Sequence, residues 1–293
     1  MNAPIGPPSI ELPDVVSLHR KKERPSKAGN FKMAVKCLAL DYDGTISPLD
    51  ISRSKSTISE ETDLVLQKIS RLIPVVIVTT KDLSFITVRT QFAHAWSAVS
   101  GLERKIGERI EKRGRIEHGL RRISSALRYA RSNLTEIGVE IEEKRSADQR
   151  PIAFCVDWRK AKDVELATKE ANKAATFCKS LGLKLVRYEN LPFIDVYPVA
   201  VDKGLALRET LRELNLKDGI LYMGDSEADN PAFEASDISV GVIHKENNLQ
   251  RLTSDHAVKF EDVSSFLNLL LANRLVFDSS FPMIQSVPRR ERN

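Results

Sequence analysis

A short run from Ala34 to Leu40, apolar at every position but Lys36, stops abruptly at Asp41-Tyr42-Asp43-Gly44-Thr45. Such a run is too short for a core helix and suits a strand buried on both faces, the kind that parallel sheets use. The pattern recurs along the chain. Val75 to Val78 leads into Thr79-Thr80-Lys81, and Gly219 to Met223 leads into Gly224-Asp225-Ser226-Glu227-Ala228-Asp229. Asp-Gly alone is an ordinary turn dipeptide. Polar clusters directly after three buried strands say more, because the ligand crevice of an open parallel sheet lies at the C-terminal ends of its strands.

The segments between these runs alternate as a parallel sheet requires. Ser59 followed by Glu60 and Glu61 reads as an N-cap with acids in the first turn, opening a helix that carries Leu64, Leu66 and Ile69 and ends before Pro74. Pro74 to Thr79 reads as a strand, Leu83 to Phe92 as a helix and Ala95 to Ser100 as a strand. This rhythm predicts an α/β fold, a doubly wound, Rossmann-like parallel sheet with helices on both faces. The texture changes after Gly101. Helices over 119–137 and 161–181, with strands over 139–144, 152–158, 183–187 and 193–197, give an αββαββ order, read as an inserted α+β domain. The parallel pattern resumes with helix 203–214, strands 219–223 and 238–242, and a last helix over 261–275. The expected division is therefore a leader over 1–32, a core over 33–103 and 200–282, an insertion over 104–199 and a tail over 283–293.

Acid clusters, a hydroxyl and a lysine converging on one sheet edge are the parts needed for phosphoryl chemistry with a divalent cation, since hard carboxylate oxygens suit Mg²⁺ and leave part of its shell to phosphate. Asp41-Tyr42-Asp43-Gly44-Thr45, Thr79, Lys203 in Val201-Asp202-Lys203-Gly204, and Gly224-Asp225 with Asp229 resemble, in that order, the four motifs of haloacid dehalogenase-like (HAD) phosphatases. The insertion between the second and third motifs resembles a C2-type cap. Leu38 to Thr45 followed by Ser47-Pro48, and Glu142-Glu143-Lys144 ahead of a strand ending Asp157-Trp158-Arg159, look most like the trehalose-6-phosphate phosphatase family, a relative of the sucrose-phosphate and mannosyl-phosphoglycerate phosphatases.

The resemblance implies Asp41 as the nucleophile that becomes an aspartyl-phosphate, and Asp43 as general acid and then base. It implies Mg²⁺ held by the Asp41 and Asp225 carboxylates and the Asp43 carbonyl, with Asp229 as a further ligand or an acid beside them. Thr79 and Lys203 would hold the phosphoryl oxygens, and Gly44, Thr45, Thr80, Lys144 and Arg159 would bind substrate. The pattern also departs from the family. Thr79-Thr80-Lys81 stands where Ser-Gly-Arg is usual, Asp229-Asn230 where Asp-Glu is usual, and Asp157-Trp158-Arg159 where the cap usually has His-Tyr-Arg. The expected substrate is a small phosphorylated sugar, trehalose 6-phosphate first and another glycosyl or small organic phosphate second. A phosphohexomutase and a non-catalytic sugar-phosphate sensor are the alternatives, and a sensor has no need of both a nucleophile and its acid.

Composition removes other classes. The net charge of +5 over 293 residues invites an anionic partner, but residues 1–32 hold six basic and three acidic side chains and 283–293 three basic and one acidic. The stretch between is formally neutral, so no specific nucleic-acid partner is expected. The longest apolar runs fall far short of the roughly 20 residues of a membrane helix, and the proline-rich leader lacks a secretory h-region. Three scattered cysteines form no CxxC pair, which points to a reducing, cytoplasmic setting and against a zinc finger. The five histidines show no metal-ligand spacing. A monomer or weak oligomer is expected.

Overall fold

The computed structural model describes residues 31–49, 51–114, 116–188, 191–244 and 250–287. The leader before Phe31 and the tail after Val287 lie outside the described residues. In chain order the first part holds β1 (Lys32–Ala34), β2 (Cys37–Leu40), α1 (Glu60–Ser70), β3 (Val75–Val78), α2 (Leu83–Ile86), β4 (Ala95–Ala98), β5 (Glu103–Ile106) and β6 (Arg109–Lys112). The middle holds α3 (Glu117–Leu134), β7 (Glu140–Arg145), β8 (Pro151–Asp157), α4 (Val164–Ser180), β9 (Lys184–Arg187) and β10 (Phe193–Tyr197). The last part holds α5 (Lys203–Glu213), β11 (Ile220–Gly224), α6 (Asn230–Ala235), β12 (Ile238–Ile243), β13 (His256–Lys259), α7 (Val263–Ala272), β14 (Val276–Asp278) and β15 (Gln285–Ser286).

Nine strands form the large sheet in the order β15-β13-β12-β11-β2-β3-β4-β5-β6. The six from β13 to β4 run parallel. Alternate residues sort to opposite faces, as a period of two demands. Leu38, Leu40, Val75, Ile77, Leu221 and Met223 pack with Val65, Leu66 and Ile69 of α1 and Phe266, Leu267 and Leu270 of α7. Cys37, Ala39, Val76, Val78, Ile220 and Tyr222 pack with α5 and α6 on the other side. From β2 the chain builds outward through β3 and β4, then later through β11 to β13 on the opposite flank. The order therefore reverses between β2 and β11, which makes the crevice at their C-terminal ends the natural ligand site.

The middle segment forms its own sheet, β7-β8-β10-β9, antiparallel throughout. Helices α3 and α4 cover one face, where Ile123, Leu127, Ala130, Ala171 and Ala174 meet Phe154, Val156, Ile194 and Val196. The other face carries Glu142, Lys144, Cys155, Asp195 and Tyr197 and turns toward the loops of the large sheet.

Three expectations need correction. Residues 103–112, assigned to the insertion from 104 onward, form the β5–β6 hairpin that extends the large sheet antiparallel to β4. Its charged composition hid it, but a hairpin at the end of a sheet keeps polar side chains in ion pairs, here Arg104 with Glu209 at 3.1 Å and with Glu111 at 3.0 Å. The helix expected over Leu83 to Phe92 is regular only to Ile86; beyond it the Thr87 and Thr90 hydroxyls share the Leu83 and Ile86 carbonyls with the backbone, at 2.8 and 2.7 Å, a pattern that bends a helix. Paired structure also extends beyond 33–282. Lys32 pairs with Asp278 at 2.7 Å, β1 pairs with β14, and β15 adds to β13.

Candidate active site

Asp41 follows the last residue of β2, and its N–H donates to the Met223 carbonyl at 2.9 Å, so the ladder with β11 continues to the nucleophile candidate itself. Leu38, Ala39 and Leu40 are fully buried, which fixes the strand and therefore where its end points. Lys203 begins α5, a helix capped by Asp202, whose carboxylate accepts from the Leu205 N–H at 2.8 Å. A Cβ on Gly204 would lie 2.2 Å from the Pro231 carbonyl oxygen, so only glycine lets α5 approach α6 this closely. That approach puts Lys203 Nζ 2.9 Å from Asp41 Oδ2 and 2.7 Å from Asp229 Oδ1.

Asp229 is fully buried and saturated. Its Oδ1 also accepts from the Tyr222 hydroxyl at 2.6 Å, and its Oδ2 accepts from the Ser226 N–H and hydroxyl at 3.1 and 3.0 Å. The bond from the Ser226 N–H is one arm of a capping box on the short turn Glu227–Asp229. Asp225 has no such set of donors among the described residues, and it sits against Gly44. With φ +71 at Gly44, a Cβ there would lie 2.2 Å from Asp225 Oδ2. The His244 ring bonds through Nε2 to the Gly44 carbonyl at 2.6 Å, fixing the turn after Asp43.

Asp41, Asp225 and Asp229 each bring a carboxylate oxygen to within 4.8 Å of the others. Burial pushes the Asp41 carboxyl up to about 7; Lys203 opposes that rise, while Asp229 and Asp43 add to it. Burial likewise drives Asp225 well above the carboxylate range, with Asp41 and Asp229 adding repulsion. Burial alone would lower Lys203, but Asp229 and Asp41 outweigh it and hold the ammonium charged. Three buried acids around one ammonium resist ionising together, and once ionised they carry excess negative charge on hard oxygen donors. That donor set fits a divalent cation such as Mg²⁺, for which Asp41 and Asp225 are the available carboxylates, since Asp229 is committed to Lys203, Tyr222 and Ser226.

The remaining residues singled out in the sequence occupy distinct places. Thr79 is buried at the end of β3, and its Oγ1 accepts from the Lys81 N–H at 3.2 Å. Thr80 is half-buried beside it, and Thr45 is fully buried with an Oγ1 that makes no hydrogen bond. Asp43, partly open to solvent, lies with Oδ2 3.4 Å from Lys81 Nζ. Lys144 is buried in the second sheet and committed to Asp195 Oδ1 at 2.6 Å. Arg159 is more exposed, pairing with Asp157 Oδ2 at 2.7 Å and lying over the Phe193 ring at 5.5 Å.

Tyr222, Ser226, His244 and Arg53 escaped the sequence reading. Tyr222 lies inside an apolar run and reads as core, and His244 is 200 residues from the glycine it holds. Arg53 binds Asp82 in the large-sheet unit and Glu142 Oε1 of β7 at 2.8 Å. Burial raises the Glu142 carboxyl, but Lys81, Lys144 and Arg53 outweigh it and hold the group down to about 2.

A strand-end nucleophile candidate paired with a helix-borne lysine, acids on the next strand and an inserted second sheet define a phosphatase of the haloacid dehalogenase type. The model of the trehalose-phosphatase family matches residues 39–260, and the chain belongs to that family. A search of curated proteins found no match. Among solved structures, a trehalose-6-phosphate phosphatase related protein aligns with TM-score 0.67 at 18% identity, covering 82% of this chain and 98% of its own. The C-terminal domain of the C. albicans trehalose-6-phosphate phosphatase aligns with TM-score 0.64 at 18% identity, covering 82% and 93%. A haloacid dehalogenase-like hydrolase from Bacteroides thetaiotaomicron aligns with TM-score 0.60 at 14% identity, covering 80% and 99%.

Proposed function

We propose that the protein is a Mg²⁺-dependent phosphatase of a phosphorylated sugar, with trehalose 6-phosphate as the first candidate substrate, and that β7–β10 with α3 and α4 act as its cap. The observation that carries this reading is Lys203 Nζ placed between Asp41 and Asp229 beside the Asp225 carboxylate. Asp41 attacks phosphorus in line, the bond from phosphorus to the sugar oxygen breaks, and Asp43 gives its proton to the departing alkoxide. An aspartyl-phosphate remains. Asp43, now ionised, takes a proton from water as that water attacks phosphorus, releasing inorganic phosphate and restoring Asp41. Lys203 and the Thr79 hydroxyl hold the phosphoryl oxygens, while Asp229 holds Lys203 in place. Mg²⁺, bound by the Asp41 and Asp225 carboxylates and the Asp43 carbonyl, would neutralise charge on the transferring group.

The cap departures support the second substrate class, another glycosyl phosphate, because Lys144 is tied to Asp195 and Asp157 replaces the usual histidine. A phosphate-release panel of trehalose 6-phosphate, sucrose 6-phosphate, glucose 6-phosphate and p-nitrophenyl phosphate, with Mg²⁺ or with chelator, decides the substrate. Asp41→Asn is expected to lower kcat by about 10³-fold or more while leaving the thermal transition cooperative. Near-normal turnover of that variant removes Asp41 from the mechanism, and silence of the wild type on the whole panel favours the sensor. No described helix is long and apolar enough to cross a membrane, and Cys37, Cys155 and Cys178 are all free thiols. The free thiols accord with our placement of the enzyme in a reducing, cytoplasmic setting.

A further inference from the structure

Lys81 connects two carboxylates that belong to different sheets. Its Nζ lies 3.4 Å from Asp43 Oδ2 and 3.3 Å from Glu142 Oε1, the first on the loop after β2 and the second on β7. The same Glu142 oxygen accepts from Arg53 Nη1 at 2.8 Å, and Arg53 is itself anchored on the buried Asp82. Phe85 floors the cluster, with the Arg53 guanidinium 4.4 Å and the Lys81 ammonium 5.6 Å from its ring centroid. The large-sheet unit thus offers two cations to one carboxylate of the second sheet, and one of those cations touches Asp43.

We propose that Glu142 acts on Asp43 through Lys81, so that docking of strand β7 fixes the orientation of the proton donor. The proposal rests on the reading of Asp43 as general acid. Lysine has a flexible four-carbon stem and a point charge without directional preference. Strung between two carboxylates, its ammonium has a defined place, and Asp43 gains a fixed partner. With Glu142 withdrawn, Lys81 keeps the Phe85 ring and, as its one carboxylate among the described residues, the partly solvated Asp43, a contact that is weak and mobile. The acid is then well placed only when the second sheet is seated over the site, where water is excluded and the sugar is held. Lys81 and Glu142 are positioning residues in this scheme, since neither needs to touch the transferring phosphoryl group.

The test compares leaving groups. A sugar alkoxide needs a proton to depart, whereas p-nitrophenolate does not, and kcat/KM reports only the steps through departure of the leaving group. Lys81→Met is expected to lower kcat/KM at saturating Mg²⁺ about 10²-fold on trehalose 6-phosphate, or on the best alkyl phosphate of the panel, and at least tenfold less on p-nitrophenyl phosphate. Lys81→Arg should recover most of the loss, which also separates positioning from misfolding. Glu142→Gln should show the same selectivity, and the Lys81→Met/Glu142→Gln double variant should be no worse than Lys81→Met alone. Equal losses on both substrates overturn the proposal, as do additive losses in the double variant, which would make Glu142 a sugar contact instead. A wild type inactive on every phosphate overturns the phosphatase reading, and the coupling with it.

Discussion

Around Lys203 the charges balance only in part: Asp41, Asp225 and Asp229 share one ammonium, and Asp225 is pressed against the turn at Gly44. Gly44 is therefore the residue through which backbone geometry controls the acid cluster. Its φ of +71 would cost an alanine roughly 1–2 kcal/mol, and the new Cβ would force the Asp225 carboxylate aside. Gly44→Ala is expected to lower stability in urea by about that amount and to weaken apparent Mg²⁺ affinity by about tenfold, read from the Mg²⁺ dependence of phosphate release. Unchanged Mg²⁺ affinity would show that Asp225 lies outside the cation site. Asp41, Asp43 and Asp225 were legible in the sequence because each follows a strand whose burial can be read from its residues. Tyr222 and Ser226 were not, because a tyrosine in Ile-Leu-Tyr-Met and a serine in a turn look the same whether or not they hold a carboxylate. Lys144 illustrates the reverse case: its place near a family motif was legible, but its partner Asp195, 51 residues on, was not.

Strands buried on both faces are legible in the sequence, and those at the sheet's edge are not. β2, β3 and β11 are wholly buried and announce themselves by composition. The β5–β6 hairpin, with the sequences Glu-Arg-Lys-Ile and Arg-Ile-Glu-Lys, is held by its antiparallel ladder and by ion pairs to α5, neither of which has a local signature. The same hairpin meets the second sheet, where both Glu103 oxygens accept from the Ala147 N–H at 3.1 Å and Lys112 pairs with Asp148 at 2.7 Å. β7 itself meets the large-sheet unit through Glu142, which pairs with Arg53 and Lys81. A carboxyl held down to about 2 from an ordinary 4.5 contributes stability that is full above about pH 4.5 and is lost as pH falls toward 2. Wild type should therefore be more stable than Glu142→Gln by a margin that is constant above about pH 5.5 and narrows steadily below about pH 4.5, measured by urea unfolding. A margin that stays constant down to pH 3 would mean that Glu142 is not ionised against Lys81 and Arg53 in the folded protein.

At the scale of the molecule, the excess positive charge of the chain and its chemistry are separate matters. Residues 33–282 are formally neutral, and in the reading proposed above a substrate's phosphate would be met by Lys203 and a divalent cation at strand ends in the middle of the large sheet. What the ends of the described stretch supply is packing. Phe31 donates its N–H to the Ser279 hydroxyl at 2.9 Å and packs its ring against His256 and Phe277, with centroids 6.4 and 6.2 Å away. β15 covers the exposed side of β13, in register from His256 opposite Ser286 to Ala257 opposite Gln285. These contacts lie at the far edge of the sheet, with β12 and β11 between them and Asp41. A chain cut to 31–287 should keep the kcat/KM and the unfolding midpoint of the full protein. A chain cut to 33–282 should keep kcat/KM at low temperature but lose about 1–3 kcal/mol of stability, from the exposed ring pocket and the opened sheet edge. Loss of activity in the 31–287 chain would instead assign the basic leader or tail a part in catalysis, through substrate capture or through contact with the cap.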